Sequence, residues 1–127
     1  VGYMLIGNGN DTTVSYMSNT LPIPPSKPSV AASTAMAGEM LGLKLIYLEA
    51  GSGASQPVPE KLIKIVRKSV NVPIIAGGGL NTPEKAIAAL QAGADLIVLG
   101  NGVEKNPELV IEVSERINNI NKPLNIH

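Results

Sequence analysis

Short apolar runs alternate along this chain with longer stretches whose apolar positions recur at helical spacing, and the alternation repeats four times. The first run, Val1 to Gly7 (VGYMLIG), ends in the turn cluster Asn8-Gly9-Asn10-Asp11. Thr12 to Met17 alternates weakly and predicts a small extra strand, after which four prolines between Leu21 and Pro28 stiffen a loop and forbid helix. Ser29 to Leu41 predicts a helix with Val30, Ala37, Met40 and Leu41 at helical spacing and Gly42 as its stop. The second unit is KLIYLEAGSGA, Lys44 to Ala54, followed by a helix over Pro59 to Val70. That helix has Leu62, Ile63, Val66 and Val70 on one face and Lys61, Lys64, Arg67 and Lys68 on the solvated rest. The third unit is the run Val72 to Ala76, then Gly77-Gly78-Gly79, then a helix opened by Thr82 as cap, Pro83 and Glu84, and closed at Gly93. The fourth is Asp95 to Leu99, then Gly100-Asn101, with Asn106 and Pro107 opening a last helix that buries Leu109, Val113, Ile117 and Ile120.

Strand–loop–helix units in series imply parallel strands joined by right-handed crossovers. Two α/β architectures fit: an open doubly wound sheet, or part of a (β/α)8 TIM barrel. Glycines follow the strands in unit after unit, at Gly7 and Gly9, Gly51 and Gly53, Gly77 to Gly79, and Gly100. A dinucleotide-binding sheet concentrates its glycines after one strand, whereas glycine loops after the last strands suit a barrel phosphate site. The barrel is the expectation. A whole barrel takes roughly 250 residues and eight strands, so the 127 residues are expected to form one unit, 1–127, the C-terminal half of a barrel domain supplying about its last four strand–helix units.

Composition narrows the partners more than the fold. Ten acidic and ten basic residues give a formal net charge of zero, without a basic cluster, and aromatics are confined to three tyrosines, so no nucleic-acid partner is expected. Cysteine is absent, which excludes disulfides and thiolate metal sites. No apolar run reaches the roughly 18 residues of a spanning helix, and a cytoplasmic protein with at most peripheral membrane contact is expected. The single histidine, His127, reads as a tail residue rather than a base.

Candidate chemistry gathers at the strand ends. Leu45, Tyr47 and Glu49 share one face of their strand, so a phenol and a carboxylate project together beside the bare backbone of Gly51, Ser52 and Gly53. After the next two strands, AGGG and LGN offer backbone N–H groups with no Cβ in the way, and Asn101 adds an amide donor. Such loops converge on a phosphate, with charge-assisted bonds worth about 1.5–3 kcal/mol each; ordinary tight turns are the alternative use of these glycines.

The runs YLEAGSGA (Tyr47–Ala54), AGGGLNTPEKA (Ala76–Ala86) and VLGN (Val98–Asn101) resemble the geranylgeranylglyceryl phosphate synthase family, TIM-barrel prenyltransferases of ether-lipid synthesis with bacterial relatives. The upstream GYMLIGNGNDTTVSYMSNTLPIPPSKP resembles the family's strand, hairpin and proline-rich loop, so the likeness covers essentially the whole chain. It implies transfer of a long prenyl group from its diphosphate to the primary hydroxyl of sn-glycerol 1-phosphate. On that resemblance Tyr47, Leu48, Glu49, Ala50, Gly51, Ser52 and Gly53 hold the glycerol phosphate, Glu49 takes the hydroxyl proton with Tyr47 beside it, and Gly78, Gly79, Gly100 and Asn101 bind the phosphate. The resemblance also implies Mg2+, whose ligands, an Asp and a Ser or Thr, belong to the first strands of such a barrel; no metal ligand is assigned in this chain.

Two other classes share the late glycine loops: an isomerase or cyclase acting on a phosphosugar, and a non-catalytic half-barrel that binds a phosphorylated ligand. Neither accounts for YLEAGSGA. The expected partners are the two substrates and either an N-terminal half-barrel or a second copy, with a homo-oligomer as the assembled form.

Overall fold

The computed structural model describes residues 1–7, 22–51 and 53–121. The strand expected over Thr12 to Met17, Ser52 and His127 lie outside them. Four strands, β1 (Gly2–Leu5), β2 (Ile46–Glu49), β3 (Ile74–Gly77) and β4 (Leu96–Val98), form one parallel sheet in the unbroken order β1-β2-β3-β4. The helices are α1 (Pro28–Met40), α2 (Glu60–Ser69), α3 (Pro83–Ala92), a short α4 (Asn101–Lys105) and α5 (Glu108–Asn121).

Register shows what this sheet belongs to. Met4, Leu48, Ala76 and Ile97 align across the four strands, and so do Tyr3, Tyr47, Ile75 and Leu96. Because side chains alternate, these two rows face opposite ways. The first row, with Ile46 and Ile74, is packed with Leu62, Ile63 and Val66 of α2 in one aliphatic core. In the second row Tyr3 is 51% and Leu96 58% exposed; Leu5 and Gly77, further along that side, are buried. One face is covered by helices and the other is largely bare, with no reversal of strand order. A doubly wound sheet would show the reversal and two covered faces. The fold is that of a (β/α)8 barrel, of which this chain forms four strands with their helices.

Several helix ends follow from sequence. Thr82 accepts the Lys85 N–H at 3.2 Å and Pro83 takes the first turn of α3. Past α1, Gly42 at φ +92° lets its N–H reach the Glu39 carbonyl while Leu43 N–H reaches that of Gly38, both at 3.0 Å, which is the two-bond C-terminal cap.

Four expectations need correction. The buried face of α1 is Ala31, Ala32, Ala35 and Gly38, not Val30, Ala37, Met40 and Leu41; Met40 is 86% exposed. Small residues let the helix backbone lie close to its neighbours, since a Cβ on Gly38 would stand 3.1 Å from Leu43 Cδ1. Arg67 does not belong to a solvated face: it bonds Asp95 Oδ2 at 2.8 Å and the carbonyls of Val70 and Val72 at 2.9 Å. Asp95 Oδ2 also accepts the Ile74 N–H at 2.8 Å, so this pair ties α2 to the starts of β3 and β4. The loop after β4 contains α4, five residues being too short to show periodicity in sequence. On α5, Leu109 and Val113 are buried but Ile120 is exposed.

The edge along β1 is partly closed, because Ile23 N–H donates to the Leu5 carbonyl at 2.9 Å and Gly7 N–H to that of Ile23 at 3.0 Å. The rest of that edge and the outer edge of β4 are unpaired among the described residues. An aliphatic side chain left in water forgoes roughly 1.5–3 kcal/mol, so the bare row and free edges predict that the 127-residue chain alone sediments as a self-associated species. A cooperatively folding monomer in sedimentation and urea titration would contradict this.

Candidate functional site

β2 ends where Tyr47 and Glu49 leave the bare face together, as their shared parity requires. Glu49 Oε1 accepts the Gly51 N–H at 2.8 Å, and the Tyr47 hydroxyl lies beside the carboxylate, so that a Cβ on Gly77 would meet both. Tyr3, the register partner of Tyr47 on β1, lies with its ring centroid 5.3 Å away at a 38° tilt. Burial, then the Glu49 charge beside it, push the Tyr47 phenol up to about 12, and burial followed by the Glu49 charge raises Tyr3 as well. Both phenols therefore stay protonated donors at neutral pH.

Small residues at the end of β3 make room for this group. A Cβ on Gly77 would lie 2.9 Å from the Tyr47 hydroxyl and 3.1 Å from Glu49 Oε2, and one on Gly78 2.6 Å from Glu49 Oε1. Gly78 and Gly79 take φ +87° and +70°, and Gly100 takes +41°. Among the described residues the N–H groups of Gly78, Gly79 and Gly100 meet no hydrogen-bond acceptor. Unpaired amides gathered at one place make an anion-binding concavity. They border a cleft of about 190 Å³ that Glu49, Tyr3 and Lys105 also line.

Most of the residues expected at the site converge here. Glu49, Gly53, Gly78, Gly79 and Gly100 line the cleft, while Gly51 bonds the Glu49 carboxylate and Tyr47 lies beside it. Leu48 and Ala50 send their side chains into the helix-side core, so only their backbone is available to a ligand. Asn101 opens α4 as its first residue. Tyr3 and Lys105 are among the lining residues that the sequence reading did not assign to the site. Tyr3 is recognisable only once the β1–β2 register is known, and Lys105 sits in GVEKNP, which carries no motif.

The sequence model of the PcrB family matches residues 1–119. The chain belongs to the PcrB family. The geranylgeranylglyceryl phosphate synthase of Spirosoma linguale is 57% identical over 121 residues, covering 95% of this chain and 49% of that protein. That of Thermococcus kodakarensis is 45% identical over 122 residues, covering 96% and 47%. The crystal structure of (S)-3-O-geranylgeranylglyceryl phosphate synthase from Thermoplasma acidophilum in complex with substrate sn-glycerol-1-phosphate superposes with a TM-score of 0.82 at 34% identity, over 91% of this chain and 48% of that one. The chain spans about half the length of the curated relatives it matches.

A metal does not fit this PcrB-family chain's described residues. They hold no group of three or more His, Cys, Asp or Glu that could bind one, and Glu49, the carboxylate of the cleft, is already engaged by the Gly51 N–H. No helix among them is long and apolar enough to cross a membrane.

The raised phenols give a spectroscopic test. A phenol raised above its model value of 10.0 holds its proton more tightly in the folded state. The stability it adds is present below about pH 10 and disappears as pH climbs towards 12. Ultraviolet titration should show Tyr47 ionising near pH 12, and Glu49→Gln should bring that step down part of the way, burial being the larger cause. An unchanged step would deny the Tyr47–Glu49 contact.

Proposed function

We propose that this chain is the C-terminal, glycerol-phosphate-binding half of a prenyltransferase barrel. Its reaction would transfer a long prenyl group, geranylgeranyl or similar, from the diphosphate to the primary hydroxyl of sn-glycerol 1-phosphate. One observation carries the reading: Glu49, held by the Gly51 N–H with the Tyr47 hydroxyl beside it, shares a cleft with the unpaired amides of Gly78, Gly79 and Gly100. The amides suit the phosphate and the carboxylate suits the hydroxyls, which orients a glycerol phosphate end to end. The likeness to the Thermoplasma acidophilum enzyme with sn-glycerol-1-phosphate supports the same ligand.

In the reaction the glycerol oxygen forms a bond to C1 of the prenyl chain as the bond from C1 to the diphosphate oxygen breaks. The hydroxyl proton passes to a carboxylate oxygen of Glu49, and the electron pair of the broken bond leaves with the diphosphate. The Gly51 N–H keeps that carboxylate from turning away, with the Tyr47 hydroxyl beside it. Ser52 and Asn101 complete the proposed binding set, with Gly53 at the cleft wall and Leu48 and Ala50 contributing backbone. Mg2+ is part of the proposal, held by residues outside the described set. Charged, phosphorylated substrates favour the cytoplasm, and the bare sheet face favours assembly with a completing half-barrel or a second copy into a homo-oligomer.

Glu49→Gln in the assembled barrel keeps shape and hydrogen-bonding reach but removes the base, and turnover should fall about 10²–10⁴-fold. Calorimetry should still show sn-glycerol 1-phosphate bound. Near-normal turnover would leave Glu49 a positioning role at most.

A further inference from the structure

Three unpaired amides carry only partial positive charge, while a phosphate monoester brings nearly two negative charges into a cleft that already holds the Glu49 carboxylate. A full cation beside the amides would strengthen such binding. Lys105 is the cationic side chain that lines the cleft among the described residues. It makes none of the ion pairs found among them, which are Arg67–Asp95 and Arg116–Glu84. Lys85 bonds Asn81 Oδ1 at 3.0 Å and lines a different groove. Arg67 is committed at the opposite ends of the strands.

Lys105 closes α4, the helix that begins directly after Gly100. Helical side chains lean towards the N-terminus of their own helix, and five residues rise only about 7 Å. An extended lysine on the last turn can therefore run back towards the Gly100 end.

We infer that Lys105 supplies the charge that holds the phosphate group in this cleft and so sets the preference for a phosphorylated over a neutral glycerol. The inference rests on the glycerol-phosphate reading above. Lys105 offsets the repulsion between the phosphate and the Glu49 carboxylate that shares the cleft. Lys105 touches no reacting atom; it is a binding and specificity residue.

The test is calorimetry on the assembled barrel with inorganic phosphate and, separately, with sn-glycerol 1-phosphate, at low and high salt. Lys105→Gln should weaken both ligands about tenfold and flatten the salt dependence, with an unchanged melting temperature. Lys105→Arg should restore both to within about threefold, since the charge is kept. In turnover, Lys105→Gln should raise KM for glycerol phosphate and leave kcat and the KM for prenyl diphosphate alone. Wild-type affinity in Lys105→Gln overturns the inference, as does a rise confined to the prenyl diphosphate KM, or a loss that Lys105→Arg fails to restore. A wild-type protein that binds phosphate but not glycerol phosphate overturns the prenyl-transfer reading, while the Lys105→Gln contrast with phosphate still decides the role of the lysine. A wild-type protein that binds neither overturns both.

Discussion

Parallel pairing in one register is the constraint on which the site depends. Leu5, Glu49, Gly77 and Val98 stand side by side across the sheet, so the loops that follow the strands leave from one common rim. Slipping β2 by one residue would turn Glu49 into the aliphatic core and bring Leu48 to the bare face. That exchange would bury an unpartnered carboxylate, which costs far more than any single contact at the site. The packing of Ile46, Leu48, Ile74 and Ala76 beneath the helices thus fixes the position of chemistry on the other side of the same strands.

The opposite ends of the strands are held by different means. Arg67 gathers the carbonyls of Val70 and Val72 and the Asp95 carboxylate, while Glu39 Oε2 accepts the N–H groups of Asn71 and Val72 at 2.7 and 3.2 Å. Backbone groups that precede β3 thereby find partners in side chains from two helices. The division is the usual one for barrels, with stability at the strand starts and chemistry at their ends.

Much of this was legible in the sequence. Alternation alone put Tyr47 and Glu49 on one face, and the series of post-strand glycines favoured a barrel over a doubly wound sheet. Thr82, Pro83, Gly42 and Gly93 announced helix ends through local chemistry that tertiary packing did not override. What failed was whatever depended on contacts between distant segments. The buried face of α1 is set by how closely small residues let it approach its neighbours, so its larger apolar side chains misled. Arg67 looked like one more surface cation because Asp95 lies 28 residues further along. Tyr3 acquires meaning only through β1–β2 pairing, and Lys105 only through the fold of a one-turn helix back to the cleft.

Glycines at the rim serve two ends that a sequence cannot separate. Gly79 could be read as a bare amide facing an anion, yet a Cβ there would also stand 2.6 Å from the Gln56 carbonyl and from Pro57 N. A bulky side chain at Gly79 would push apart two loops and move Gly78 with them, so lost binding in such a variant would say nothing of the phosphate. Gly102 is similarly committed, since its Cβ would meet Leu109 Cδ2 at 2.8 Å and the Leu80 carbonyl at 2.9 Å. Gly100 differs: a Cβ there would meet nothing within 4 Å, so its positive φ alone demands glycine. Space around the rim is therefore closed at the β3 loop and open at the β4 loop. Backbone at the β3 loop is fixed by packing before any ligand arrives, whereas at the β4 loop a ligand meets an amide with free volume beside it. A side chain such as Lys105, attached beyond that open loop, can adjust to a bound anion without disturbing the packed glycines opposite.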